Sequence, residues 1–114
     1  MLLHFCGRAD WAAAVAAGSY TADTLATEGF IHCSTAAQVH IPANALARGR
    51  TDLVLLHVDE TRLPSPPVWE PGRPEDPDGM LFPHVYGPIP VDAVVAVTDF
   101  PPGPDGTFPP LLTP

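Results

Sequence analysis

The sequence predicts a single α+β domain built on a mostly antiparallel sheet. Three observations carry this. Short apolar runs alternate with two helical patterns early in the chain, in the order β-α-β-α. Four further extended segments follow with no helix between them, so the second half supplies no parallel crossovers. The 114 residues suffice for one core but not for two.

Leu2 to Phe5 is a short apolar strand. Asp10 to Ala17 reads as a helix, because Trp11, Ala14, Val15 and Gly18 fall on one face at helical spacing, and Gly18 stops it. Tyr20 to Glu28 is a polar connection with room for one turn, and Gly29 to Ser34 reads as a second strand. Thr35 and Gln38 have capping-box spacing, which predicts a helix over 36–47 kinked or split at Pro42. The near-continuous apolar run Leu53–Val58 predicts a central strand buried on both faces. Val68–Glu70 is a short strand, Pro71–Gly79 a loop, Phe82–Ile89 an extended piece framed by prolines, and Ala93–Asp99 the last strand. Six of the final fourteen residues are proline. The division expected is therefore a domain over residues 1–100 and an extended or disordered tail over 101–114.

Thirteen acids oppose five bases, all arginine, for a net charge of −8. That balance lacks the basic patch that neutralises phosphates, so a nucleic acid partner is not expected. No apolar stretch approaches the roughly 18 residues of a membrane span, and the start does not read as a signal peptide. The expected location is cytoplasmic. Two cysteines make no disulfide framework, and the absence of lysine excludes Schiff-base chemistry and a P-loop.

The pleat sorts the polar candidates. His4 and Cys6 share one strand face, and His32 and Ser34 share another. If their strands pair, His4 and His32 converge on one cleft. Cys33 must point away from His32, which leaves too few converging ligands for zinc, so no metal is expected. Ser34 suits either a cap or a ligand contact. His84 and Tyr86 share a face of the proline-framed segment, and each has an apolar body with a polar tip. Glu70, flanked by Trp69 and Pro71, is a carboxylate in an apolar setting. His40, Asn44 and His57 carry weaker signals and lie outside the expected site.

The strings Glu28-Gly29-Phe30-Ile31-His32-Cys33-Ser34 and Phe82-Pro83-His84-Val85-Tyr86-Gly87-Pro88, with Leu3-His4-Phe5, Trp11, Gly18-x-Tyr20 and Trp69-Glu70, resemble the small bacterial family called domain of unknown function 952. The likeness spans residues 2–98. It implies a fold of the ADP-ribosyltransferase type: a split, mostly antiparallel α+β sheet, here with two short helical segments, around an NAD-binding cleft. In transferases of that fold a His lies on the first strand and a Tyr or His on the second. His4 and His32 fall at those positions, with Phe5-Cys6 in place of Gly-Thr. The third position is often Glu; no residue matches it by motif, and Glu70, His84 and Tyr86 fill it by default. On this resemblance His4 binds a ribose hydroxyl, His32 or Tyr86 stacks on or positions nicotinamide, and Glu70 stabilises positive charge or orients the acceptor. Ser34, His84 and Tyr86 contact the ligand. The readings left open are an NAD-using transferase or glycohydrolase, a non-catalytic nucleotide or small-ligand binding module, and a partner-binding accessory protein.

Overall fold

A computed structural model of the chain describes residues 1–111. The elements run β1 (Leu2–Gly7), α1 (Arg8–Ala17), β2 (Ser19–Tyr20), α2 (Asp23–Thr27), β3 (Ile31–His32), α3 (His40–Leu46), β4 (Leu53–Val58), β5 (Val68–Pro71), β6 (Leu81–Val85), β7 (Ile89–Pro90) and β8 (Val94–Asp99). The architecture is α+β, and each strand pairing among the described residues is antiparallel. One sheet has the order β1-β4-β8, a second β3-β6-β5, and β2 with β7 makes a small ribbon.

β4 is the central strand that its apolar run predicts. Val54, Leu56 and Val58 enter a core with Leu2, Cys6, Ile31 and Cys33, while Leu53 and Leu55 enter a second core with Leu3, Val39 and Phe108. His4 therefore lies on the first core's side of β1, between Leu2 and Cys6, as alternation requires.

The two larger sheets meet at one bridge. Leu3 N–H donates to the Ser34 carbonyl and Ser34 N–H to the Leu3 carbonyl, each at 2.8 Å. The predicted strand over 29–34 is cut to Ile31–His32, and Pro83 explains why. In an antiparallel pair one residue's N–H and C=O point to the same neighbour. The Pro83 carbonyl accepts from Cys33 N–H at 3.1 Å, but Pro83 has no N–H to return. The β3–β6 ladder stops there, and the chain swings away to pair Ser34 with β1.

The helices differ in detail from expectation. α1 begins at Arg8, and Gly18 closes it in the left-handed conformation (φ 89°) with its N–H on the Ala14 carbonyl. Ala14 is buried, whereas Val15 is 53% exposed, so the buried stripe is narrower than predicted. The polar connection holds β2 and the short α2. The Gln38 side chain does reach back to Thr35 N–H (3.0 Å), but the segment it closes is a turn. α3 starts only at His40, which puts Pro42 in the first turn, where its missing N–H breaks no helical bond. No kink is needed.

The tail is the largest correction. Phe108 is 1% exposed and stacks on Phe100 with ring centroids 4.8 Å apart. The Asn44 amide donates to the Phe108 carbonyl (2.8 Å) and accepts from Phe108 N–H (2.7 Å). Gly49 N–H donates to the Gly106 carbonyl. Proline makes this stretch irregular, yet it packs as part of the domain as far as Leu111; residues 112–114 of the expected tail lie outside the described residues. Phe108→Ala should lower the unfolding free energy by about 3–5 kcal/mol, and Asn44→Ala by about 1–2 kcal/mol. Urea denaturation measures both, and wild-type stability in either variant contradicts this packing.

Candidate functional site

The meeting of β1 and β3 leaves a cleft of about 490 Å³. Its floor carries His4, Cys6, Tyr20 and Ser34, and its walls include His32, Phe82 and the side of α3 at Pro42 and Leu46. The loop after β5 closes one end through Gly72, Arg73 and Asp76. A Cβ on Gly72 would overlap the Asp76 carboxylate and lie 2.7 Å from the Phe82 ring, so only glycine lets the loop fold this tightly.

His4 is tied on both nitrogens. Its Nδ1 contacts the His32 carbonyl, and its Nε2 lies 2.8 Å from the Tyr20 hydroxyl. A carbonyl only accepts, so Nδ1 carries the proton, and the neutral ring's Nε2 accepts from the Tyr20 O–H. Burial pushes the His4 pKa down to about 4, against the raising effect of the His32 carbonyl. Burial also raises the Tyr20 hydroxyl. The Cys6 thiol, within hydrogen-bonding reach of Tyr20, is pushed up to about 11 by burial and by Asp10, and Cys33 to about 12 by burial. At neutral pH the floor is therefore a set of uncharged dipoles. Among the described residues no group of three or more His, Cys, Asp or Glu is placed to hold a metal ion.

His32 is the histidine open to the cleft. Its side chain is 38% exposed, and Nε2 lies 3.2 Å from the Glu28 carboxylate. Arg50 grips Asp52 with two parallel bonds of 3.0 and 2.7 Å. Arg73 binds Asp76 at 3.1 Å.

A second cluster lies behind His32. His84 is 3% exposed and stacks on Phe30 at 4.1 Å. The His84 Nδ1–H and the Tyr86 O–H both donate to Glu70 Oε1, at 2.8 and 2.7 Å. Those donors hold the Glu70 carboxyl below the usual carboxylate range, and Glu70 in turn raises the Tyr86 hydroxyl. The two clusters touch where the His32 ring stands edge-on to His84, with centroids 5.1 Å apart.

Of the residues singled out in the sequence, His4, His32 and Ser34 come together in the cleft; Glu70, His84 and Tyr86 do not line it. The structure thus corrects the role expected of Glu70, whose carboxylate is committed to His84 and Tyr86. Nor do His84 and Tyr86 reach a ligand in the cleft as expected: β6 turns His84 inward, and only Phe82 of that strand lines the cleft. Sequence reasoning missed Tyr20, Glu28, Arg50 and Arg73 as site residues. Tyr20 and Glu28 stand in the strings that carry the family likeness, but only tertiary contact reveals their partners.

The family model described as "Protein of unknown function (DUF952)" matches residues 5–97, and the chain belongs to that family. Among solved structures it is similar to protein CC0527 from Caulobacter crescentus. The crystal structure of that protein is 33% identical, with 95% of this chain and 92% of that chain covered and a TM-score of 0.83. Its solution NMR structure is 34% identical over 93% and 89% of the two chains, with a TM-score of 0.77. No curated protein matches the chain.

The His4 geometry makes a signed prediction. Between pH 6.5 and about 4 the unfolded chain takes up a proton on His4 that the folded chain refuses. Stability present above pH 6.5 is thus lost as pH falls toward 4, by on the order of 3 kcal/mol. The depressed carboxyls, Glu70 among them, act at lower pH. Urea unfolding across this window should show the loss in the wild type and a flatter profile in His4→Gln; identical slopes contradict it.

Proposed function

We propose that this DUF952 protein binds the nucleoside portion of a small nucleotide in the cleft over His4, with NAD the first ligand to test. The supporting observation is the floor itself: His4, neutral and held on both nitrogens, fixes Tyr20, and the two line a cleft of about 490 Å³. Volumes of this order suit a small ligand. The Tyr20 oxygen, the Ser34 hydroxyl and the His32 ring match the hydroxyls and heterocycle of a nucleoside. His4 then acts by fixing Tyr20, and its low pKa makes it a poor proton carrier at neutral pH. The ADP-ribosyltransferase type remains part of this proposal, supported by the split sheet and by the histidines on β1 and β3.

Turnover of the ligand is a second reading, favoured by one observation: Glu28 lies beside His32 in the cleft. When bound, NAD supplies a glycosidic bond between ribose and a cationic nicotinamide. Glu28 would stabilise positive charge developing on the ribose, the part first expected of Glu70, while His32 orients the ring.

A ligand that binds only the folded chain must raise the melting temperature by mass action. NAD, ADP-ribose or nicotinamide at millimolar concentration should do so, and His32→Ala should abolish the shift. If none of the three moves the midpoint, the NAD reading fails. Nicotinamide release on incubation with NAD separates turnover from binding alone.

A further inference from the structure

Resting on the reading of the cleft as a nucleoside site, we propose that it selects uncharged or cationic nucleosides and discriminates against their phosphorylated forms. The charges lining it are unbalanced. Asp10, Asp23, Glu28 and Asp76 face the cleft against Arg50 and Arg73. Both guanidinium groups are already engaged. Arg50 is held in a fork by Asp52. Arg73 bonds Asp76 and lies 3.7 Å from Glu75. A phosphate entering the cleft finds no unpaired cation and must displace a carboxylate from one of these arginines to gain a partner.

The backbone offers no alternative seat. α1 begins at the cleft's edge, but Arg8 N–H donates to the Asp52 carbonyl at 2.8 Å, and Asp10 occupies the helix's first turn. Asp10 thus puts a carboxylate in the turn where a helix start would receive an anion, and repels one there. The net charge of −8 adds repulsion at longer range. A cationic ring meets the reverse: Glu28 and Asp23 at the wall, and the uncharged dipoles of His4, Tyr20 and Cys6 beneath.

Nicotinamide riboside and nicotinamide mononucleotide test this, because they differ by one phosphate. Isothermal titration should give the riboside roughly tenfold or more tighter binding at low salt. The gap should narrow as salt screens the carboxylates, and again in the Asp23→Asn/Glu28→Gln double variant, whose substituted side chains are exposed. Circular dichroism checks that the variant is folded. Equal or tighter binding of the mononucleotide overturns the charge selection while leaving the nucleoside site standing. So does a preference for the riboside that neither salt nor the double variant reduces. Binding of ADP-ribose with no binding of the riboside also overturns it. If neither probe binds, and NAD, ADP-ribose and nicotinamide fail as well, the nucleoside reading falls too.

Discussion

The fold turns on the crossing of β1 and β3, where Leu3 and Ser34 exchange two backbone bonds and the His4 ring caps the His32 carbonyl. This contact joins two sheets that are otherwise separate. It also decides the state of His4. With Nδ1 committed to a carbonyl, the ring is useful only as a neutral acceptor, and that fixes Tyr20 above it. The first core, the cleft floor and the positions of His32 and Cys33 all follow from this one junction. A single pyrrolidine ring in the middle of β6 enables it, because Pro83 ends one ladder and frees the chain for the other.

Much of this was legible in the residues. The unbroken apolar run of β4 foretold a strand with a core on each face, and alternation alone put His4 with Cys6 and Cys33 away from His32. Gly18 marked its helix end. What stayed hidden depends on partners distant in sequence. Asn44 carried only a weak signal, and nothing near it in the chain points to Phe108, 64 residues on. Glu70 looked suited to chemistry because its neighbours are apolar, but His84 and Tyr86 claim it through pairing of β5 with β6. Of the capping box only the Gln38 half forms, because Gln38 N–H bonds the Thr35 carbonyl rather than its hydroxyl, and the segment is a turn.

The cluster of Phe30, Glu70, His84 and Tyr86 is best understood as support. Phe30 contacts the rings of His32, His84 and Tyr86 alike, and Glu70 draws two donors to one oxygen. The two bonds on Glu70 Oε1 tie His84 and Tyr86 together, so neither side chain moves without losing a bond. It gives His32 a firm back while its front stays open. Precision in the cleft is thereby built from residues that do not line it.

The place of Phe108 also has a bearing on how the chain acquires its structure. The core on that side of β4 joins Leu3, from the first strand made, to an aromatic ring synthesised more than a hundred residues later. Contacts of such long sequence separation are slow to form, because loop closure must precede any gain from packing. While the polypeptide is being made, Val39, Ala43 and Phe100 can cover only part of that face of the β1–β4 pair, and the rest stays open until residue 108 arrives. That interval, during which an apolar surface is open to other nascent chains, is the stage at which this protein is most exposed to aggregation.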